Sequence, residues 1–291
     1  MIPQSLIDQV VKIALAEDAP WGDLTSQNFI PETATATAHL VAREPGVFCG
    51  AQVFATVMST TDAKTSIVFP VEDGASFSAG ETLATVTGSA RSVLQAERVA
   101  LNFIQRMSGI ATLTAKYVAE IAGTCARIVD TRKTTPGLRA LERYAVRCGG
   151  GSNHRFSLSD AVMVKDNHLA ALTANSKLGV TAALREARAR LPHTVHFEVE
   201  VDRIDQIEPV LAAGVDTIML DNFTLEELRQ GVALVAGRAL VEASGNVNLT
   251  TVSDIARTGV DIISVGALTH SVRALDLGLD IEIASSAPSF Q

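Results

Sequence analysis

Cationic side chains are concentrated in one stretch of an otherwise acidic chain. The 291 residues carry a formal net charge of −8. The window from Arg127 to Lys165 nevertheless holds eight basic residues and only three acidic ones. A local reversal of charge on this scale indicates either a solvated basic face or a pocket that holds anions.

The spacing of these cations separates the two interpretations. Arg139, Arg143 and Arg147 recur at intervals of four on a predicted helix, which is typical of a solvated helix face. Four other cations follow short apolar segments or stand on a glycine-rich loop: Arg132, Lys133, Arg155 and Lys165. For these four we predict an anion-binding site.

The elements that must position these cations are short apolar strands alternating with helical segments. We predict strands at residues 127–130, 161–165, 195–201, 217–221, 239–243 and 262–265. Repeated strand-helix units of this kind predict a parallel sheet closed towards an α/β barrel. The strands end on polar residues: Asp130, Lys165, Glu200, Asp221, Glu242 and Ser264. Carboxyl ends of parallel strands meet at one face, so we predict an active-site face there.

The strand at 195–201 offers two candidate acids on the same side. Glu198 and Glu200 share one face by the two-residue period. We assign the catalytic position to Glu200 because it is nearer the carboxyl end of the strand. Whether Glu198 shares that role stays open at this point.

Two loops late in the chain have the character of phosphate sites. Ser244, Gly245 and Asn246 precede one predicted helix, and Gly266 opens a second helical turn. Small residues ahead of a helix expose backbone N–H groups that favour an anion. Loops after the final strands are the usual phosphate position in α/β barrels.

Composition excludes several other classes. The acidic balance argues against a nucleic-acid partner, and no apolar run reaches the length of a membrane span. Cys49, Cys125 and Cys148 form neither a disulfide framework nor a zinc motif. The first twenty residues lack the pattern of a signal peptide, so we expect a cytoplasmic globular protein. Residues 89–123 are helical throughout, with a predicted break at Ser108 and Gly109.

Cations, carboxylates and backbone phosphate cradles together suit a phosphorylated, polyanionic substrate whose transition state carries positive charge. Phosphoribosyl transfer is such a reaction. Mg²⁺ neutralises the leaving pyrophosphate, and carboxylates stabilise the ribosyl cation.

The sequence resembles the quinolinate phosphoribosyltransferase family over essentially its whole length. The resemblance rests on eight runs in the family's order: GDLTS at 22–26, ERVALNFIQRMSGIAT at 97–112, DTRKTTPGLRALERYAVRCGGGSNHR at 130–155, VKDNH at 164–168, EVEVD at 198–202, MLDNF at 219–223, EASGN at 242–246 and SVGALTH at 264–270. Ser157 and Ser159 depart from the glycine or other small residue expected after the NHR motif.

The resemblance implies a pentosyltransferase that joins quinolinate to 5-phosphoribosyl 1-diphosphate. The products are nicotinate mononucleotide, CO2 and pyrophosphate, with Mg²⁺ as cofactor, in NAD biosynthesis. It implies an N-terminal α/β sandwich over residues 1–113, completed by the segment 271–291, and an incomplete, open parallel α/β barrel over 114–270. It also implies a homodimer, or a hexamer built from dimers.

Site residues follow from the matched motifs. The resemblance assigns quinolinate binding to Arg106 (reaching the neighbouring subunit), Arg132, His154, Arg155 and Lys165. It assigns catalysis to Lys133, Glu200 and Asp221. It assigns the phosphoribosyl donor to Thr131, Lys133, Lys165, Glu200, Asp221, Ser244, Gly245, Asn246, Val265, Gly266 and Ala267. Mg²⁺ is expected to be held mainly through the substrate, with Glu200 and Asp221 as candidate protein ligands.

Two rival functions remain open. One is a phosphoribosyltransferase of the same fold that acts on nicotinate or another base without decarboxylation. The other is a non-catalytic phosphate-binding sensor or subunit. The full set of cations argues against the first, and the intact Lys133, Glu200 and Asp221 argue against the second.

Overall fold

The structure is a computed structural model that describes residues 1–174 and 179–284. The chain forms two compact units. The first comprises residues 1–115, 134–150 and 271–291, and the second comprises 116–133 and 151–270. Residues 285–291, the end of the predicted segment 271–291, lie outside the described residues.

The first unit is built on an antiparallel sheet. Its elements, in chain order, are α1 Gln4–Asp18, α2 Leu24–Phe29, β1 Thr35–Ala42, β2 Gly46–Val47, α3 Ala51–Thr61, β3 Ser66–Val68, β4 Ser76–Phe77, β5 Thr82–Ser89 and α4 Ala90–Glu120, which continues into the second unit. Later parts of the chain add α5 Arg139–Cys148 and β12 Leu277–Ala284. The four-stranded sheet has the order β12-β1-β5-β3, and β2 pairs with β4.

The alternating pattern of β1 explains how this sheet is covered. Ala36, Ala38, Leu40 and Ala42 are buried, and the residues between them are less so. Period-two burial is what a sheet with one packed face requires. The C-terminal strand β12 pairs antiparallel with β1.

The predicted break in α4 is wrong. The helix runs without interruption through Ser108 and Gly109. The glycine serves close packing instead, because a Cβ on Gly109 would lie 2.3 Å from the carbonyl oxygen of Arg273. A helical glycine can therefore mark a close backbone approach as well as a helix end.

The second unit contains a six-stranded parallel sheet with helices between its strands. Its elements are β6 Arg127–Val129, β7 Val162–Val164, α6 Asp166–Ala174, α7 Val180–Ala189, β8 Phe197–Val201, a short 3₁₀ turn Ile204–Gln206, α8 Ile207–Leu211, β9 Thr217–Asp221, α9 Leu225–Val235, β10 Leu240–Ser244, α10 Val252–Ala256, β11 Ile262–Ser264 and α11 Ala267–His270. The predicted strand-helix alternation is confirmed.

The strand order β6-β11-β10-β9-β8-β7 places β6 and β7 at opposite edges of the sheet. Arg132 and Lys133 follow β6 and Lys165 follows β7, but the two strands are not hydrogen-bonded neighbours. Instead, Ser152 forms an isolated parallel bridge with Val129 of β6. The sheet is thus an open barrel, and this confirms the predicted fold class of a sandwich-like first unit with an incomplete parallel α/β barrel.

The division of the chain differs from the predicted boundaries at one segment. Residues 134–150, which include α5, group with the first unit rather than with the barrel. The predicted domains, residues 1–113 with 271–291 and residues 114–270, remain a prediction. No helix within the described residues is both long and apolar enough to cross a membrane.

Candidate active site

A cavity of about 460 Å³ lies in the second unit, at the carboxyl ends of the parallel strands. Eleven predicted site residues line it: Thr131, Arg132, Lys133, His154, Arg155, Lys165, Glu200, Asp221, Ser244, Gly245 and Asn246. They come from the carboxyl ends of the strands and from the loops between the elements. The cavity therefore has the position expected for the active site of an α/β barrel.

Asp130 organises the loop that carries the NHR motif. Its side chain is fully buried and accepts hydrogen bonds from Asn153 Nδ2 at 2.6 Å and from the backbone N–H of His154 at 2.7 Å. A buried carboxylate requires such partners to offset its desolvation. The aspartate at the end of β6 therefore holds the loop in place.

Arg132 and Arg155 lie close enough to affect each other. Burial lowers the pKa of Arg155, and the nearby charge of Arg132 lowers it further. The Arg155 guanidinium also donates to the carbonyl oxygen of Ala161 at 2.9 Å, which fixes its orientation. Two neighbouring guanidinium groups repel each other until an anion binds between them. The geometry thus favours an anionic ligand.

The backbone of Lys133 is held by α11, the short helix after β11. Thr269 Oγ1 donates to the Lys133 carbonyl oxygen at 2.7 Å. A Cβ on Gly266 would lie 3.2 Å from Cδ of Lys133, so the glycine leaves room for the lysine side chain. Gly266 therefore lies beside the cavity although it is not among the lining residues. Val265 is buried, and Ala267 begins α11.

The two candidate acids of β8 have different environments. Glu200 lines the cavity, and its carboxylate contacts the Lys165 ammonium. Glu198 is 3% exposed and belongs to a buried cluster beneath. The geometry therefore favours Glu200 as the acid that meets substrate, while its catalytic role remains a proposal.

The loops after β9 and β10 interlock beside Asp221. Asn222 Nδ2 donates to Asp221 Oδ2 at 2.7 Å, and Asn246 Nδ2 donates to Asn222 Oδ1 at 3.2 Å. Asn222 and Asn246 both have positive φ values, 59° and 52°. Gly245 has a φ of +94°, and a Cβ there would lie 2.1 Å from Asn222 Oδ1. Only glycine allows this contact.

His154 occupies a position that its motif alone does not predict. Its Nε2 lies 3.4 Å from Glu198 Oε2 and 3.5 Å from Glu242 Oε1, both of which are buried. Burial lowers the pKa of His154, but the two carboxylates outweigh it and raise the pKa to about 10. Burial, together with the charge of Glu242, raises the pKa of Glu198 even though His154 opposes this.

The hydrogen bond at the other ring nitrogen of His154 determines the tautomer. Nδ1 accepts from the Arg155 backbone N–H at 2.7 Å. In the neutral ring this contact places the proton on Nε2, facing Glu198 and Glu242, whereas the protonated ring that the raised pKa favours has to give up the contact with Arg155. The carboxylates thus hold the histidine by its Nε2 edge, and the raised pKa reflects that attraction.

Arg106 is placed in the first unit, on α4. Its Nε donates to Glu142 Oε1 at 2.7 Å, and Nη2 donates to Thr135 Oγ1 at 2.7 Å. Glu142 is 1% exposed, so this is a mostly buried ion pair. Within this chain, Arg106 is therefore engaged by its own unit, and its role in a neighbouring subunit remains a proposal.

Several cavity residues were not assigned a role from sequence: Met163, Met219, Asn222, Glu242 and Ser264. The sequence predicts Glu242 and Ser264 only as polar strand ends. Asn222 had a usable signal, since it directly follows the polar end of β9. The methionines lie within strands and resemble ordinary core residues, so the sequence offers no signal for them.

Mg²⁺ fits the donors around this cavity. The cation typically takes one or two protein carboxylates, with waters and substrate phosphates completing its shell. Glu200 and Asp221 each present a carboxylate at the cavity. Among the described residues, two trios of ligand-type side chains lie within 4.8 Å, His154–Glu198–Glu242 and Cys49–Asp73–Cys148. Neither trio includes Glu200 or Asp221, so the protein alone supplies at most a partial magnesium shell.

Comparison with known families places the whole chain. The model of the quinolinate phosphoribosyl transferase C-terminal domain matches residues 110–280, and that of the N-terminal domain matches 23–108. The chain belongs to the quinolinate phosphoribosyltransferase family. Both halves of the family's architecture are present in order, so the family resemblance is confirmed.

Relatives and solved structures agree over nearly the full length. The chain is 44% identical over 277 residues to the nicotinate-nucleotide pyrophosphorylase [carboxylating] of Mycobacterium leprae, covering 93% of this chain and 95% of that protein. A probable enzyme of the same name from Bacillus subtilis is 41% identical, covering 93% and 92%. NadC from Streptococcus pyogenes superposes with a TM-score of 0.92 at 42% identity, covering 98% and 99% of the two chains.

Proposed function

We propose that this quinolinate phosphoribosyltransferase family member transfers the phosphoribosyl group of 5-phosphoribosyl 1-diphosphate to quinolinate, with loss of CO2. The products are nicotinate mononucleotide and pyrophosphate, in NAD biosynthesis. The observation that carries the proposal is one cavity, which brings together Arg132, Arg155 and Lys165 with Glu200 and Asp221. Cations suit a dicarboxylate acceptor and a diphosphate donor, and the carboxylates suit a cationic transition state.

Quinolinate is bound by the cations of the cavity. The planar guanidinium groups of Arg132 and Arg155 each meet a carboxylate through two parallel hydrogen bonds. Lys165 adds a third positive charge once its contact with Glu200 is shared with the ligand. His154, held from below by Glu198 and Glu242, supports the Arg155 loop at the floor of this subsite. A base with one carboxylate would leave part of this charge unmatched.

The phosphoribosyl donor occupies the remaining part of the cavity. Lys133 and Thr131 contact its diphosphate, and the backbone N–H groups of Ser244, Gly245 and Asn246 hold the 5-phosphate together with those of residues 265–267. Glu200 and Asp221 bind ribose hydroxyls. Glu200 and Asp221 would hold Mg²⁺ together with the diphosphate, and the cation would supply charge neutralisation for the leaving group.

Positioning and electrostatics account for the transfer. The cations hold the pyridine nitrogen in line with C1 of the ribose, and the carboxylates of Glu200 and Asp221 stabilise positive charge as the diphosphate leaves. After transfer the ring nitrogen is cationic. It stabilises the electron pair left on the ring carbon when the adjacent carboxylate departs as CO2, and a proton then replaces the lost group.

We also propose the finer expectations on assembly and location. The enzyme works as a homodimer, or as a hexamer built from dimers, and in it Arg106 reaches the quinolinate of the neighbouring subunit. This requires Arg106 to exchange its contacts with Glu142 and Thr135 for the ligand. Light scattering of the purified protein tests the assembly. We expect a cytoplasmic enzyme without nucleic-acid or membrane partners.

The deciding experiment supplies both substrates with Mg²⁺ and measures nicotinate mononucleotide and CO2. Replacing quinolinate with nicotinate tests the rival base, because a shared fold does not distinguish them. Equal or better use of nicotinate, without CO2, would establish the rival transferase. Binding of the phosphoribosyl donor without any product would indicate the non-catalytic sensor.

A matched pair of variants tests the site. Arg132→Ala removes a cation that lines the cavity, and Arg147→Ala removes an exposed cation of α5. Both change the net charge equally. We expect only the first to raise the KM for quinolinate, by about tenfold or more, since a charged hydrogen bond contributes about 1.5–3 kcal/mol. Equal effects would show that overall charge, not this cavity, determines binding.

A further inference from the structure

A pair of thiols lies inside the first unit and does not line the proposed active-site cavity. Cys49 is completely buried and follows β2, whereas Cys148 is partly exposed and ends α5. Their sulfur atoms lie within 4.8 Å of each other. The two residues are far apart in sequence, so the fold alone brings them together.

One stretch of α4 holds both cysteines. Ser108 Oγ accepts from the backbone N–H of Cys49 at 3.1 Å and donates to its carbonyl oxygen at 3.2 Å. On the other side, a Cβ on Gly149 would lie 2.3 Å from the carbonyl oxygen of Ala111. The missing side chain lets the end of α5 reach α4. Both sulfur atoms are therefore carried by backbone fixed to the same rigid helix.

The neighbouring carboxylate argues against a metal at this pair. Asp73 Oδ1 accepts from the backbone N–H groups of Gly50 and Ala51, at 2.9 and 3.1 Å, and Oδ2 accepts from Tyr144 Oη at 2.9 Å. Both oxygens are thus used in holding α3 and α5. Two thiols without a further ligand fall short of the four that structural zinc takes.

The two thiols differ in reactivity. The neighbouring Cys49 thiol lowers the pKa of Cys148, partly opposed by burial and by Asp73. Burial raises the pKa of Cys49 well above its ordinary value. Since a thiolate is the nucleophile that attacks a peroxide, the more exposed Cys148 is the cysteine that reacts first.

We propose that Cys49 and Cys148 form a modification site at which a hydroperoxide oxidises the thiol pair to an intramolecular disulfide. In the first step the Cys148 sulfur attacks the peroxide, the O–O bond breaks, and sulfenic acid and water form. In the second step the Cys49 sulfur displaces the hydroxyl group of the sulfenic acid, which leaves as water with the Cys49 proton. Two thiols and one hydrogen peroxide thus become one disulfide and two waters.

The test uses the full-length protein and hydrogen peroxide, followed by alkylation under denaturing conditions and peptide mapping. We expect the treated wild-type protein to lose two of its three alkylatable thiols, with the peptides of Cys49 and Cys148 joined and Cys125 still alkylated. Dithiothreitol should restore all three. Because the disulfide would close a loop of about 100 residues, the oxidised form should also unfold several degrees higher.

Variants separate the two steps. In Cys49→Ala the reaction should stop at Cys148 sulfenic acid, which a 1,3-diketone probe labels. Cys125→Ser, the matched control at an exposed cysteine, should form the disulfide as the wild type does. The proposal is overturned if wild-type protein oxidises at Cys125 before any Cys49–Cys148 peptide appears, or if Cys148 is labelled equally in wild type and Cys49→Ala. The wild-type mapping decides the matter even if Cys49→Ala does not fold.

Discussion

Gly245→Ala is the sharpest perturbation of the proposed phosphate loop. A Cβ at this position would lie 2.1 Å from Asn222 Oδ1 and 2.9 Å from the Asn222 backbone nitrogen. The second contact involves backbone, so a side-chain rotation cannot relieve it. Asn222 must move, and with it the hydrogen bond that it donates to Asp221.

The free-energy cost of Gly245→Ala has two parts, backbone strain and displacement of Asn222, and a matched variant separates them. A residue other than glycine at a φ of +94° costs about 1–3 kcal/mol in strain. The displacement of Asn222 adds a further ~1–3 kcal/mol of overpacking. Gly259 has the same φ of +94°, but its nearest contact is an ordinary one, 3.4 Å from Val232 Cγ1. Gly259→Ala therefore carries the strain without the displacement.

Steady-state kinetics and urea unfolding together test this reasoning. If the ~1–3 kcal/mol cost of displacing Asn222 weakens donor binding by the same amount, Gly245→Ala raises the KM for 5-phosphoribosyl 1-diphosphate by about 5- to 150-fold. Gly259→Ala should leave that KM unchanged while losing stability. A donor KM in Gly245→Ala within about twofold of that in Gly259→Ala, roughly 0.4 kcal/mol, would refute the interlocked-loop account.

Three further predictions concern the acceptor subsite, the buried histidine and the long helix. Arg155→Ala should raise the KM for quinolinate about tenfold or more, whereas Glu200→Ala should mainly lower kcat; steady-state kinetics that swap the two would refute the assigned roles. Glu242→Gln should lower the pKa of His154 from about 10, measured by NMR titration. A histidine whose pKa is raised in the folded state stabilises the protein fully below its unfolded pKa of about 6.5, and this contribution is lost as pH rises towards the folded pKa. The free energy of unfolding of the wild type should therefore fall between about pH 6.5 and about pH 10 more steeply than that of Glu242→Gln. Gly109→Ala should lower the free energy of unfolding, measured in urea, by about 1–3 kcal/mol, because the added Cβ meets the backbone carbonyl of Arg273. Alanine has the better helix propensity, so a gain in stability would contradict this.

The local sequence pattern was sufficient to predict the strands and helices and most of the residues that line the cavity. The strands end within one residue of the predicted positions because buried parallel strands need continuous apolar runs, and the polar residue near the end of each run is visible without coordinates. Lys165, Glu200 and Asp221 were found in this way. Arg132 and Lys133 follow directly from their position after β6, and all five line one cavity.

Interactions between distant segments required the tertiary structure. The sequence does not reveal that Glu198 and Glu242, on different strands, hold His154 from beneath. It also suggested that Gly109 interrupts a helix that in fact runs straight through, because the carbonyl that selects glycine there comes from a segment far along the chain.

The sequence by itself thus determined the order of strands and helices, the family, and which side chains stand at the strand ends. Hydrophobic periodicity and turn chemistry act over a few residues, so they can be read along the chain. Only the fold decided which of these groups meet, such as Asn222 with Gly245 or Cys49 with Cys148. Those contacts depend on packing between segments far apart in sequence, and no local pattern records that packing.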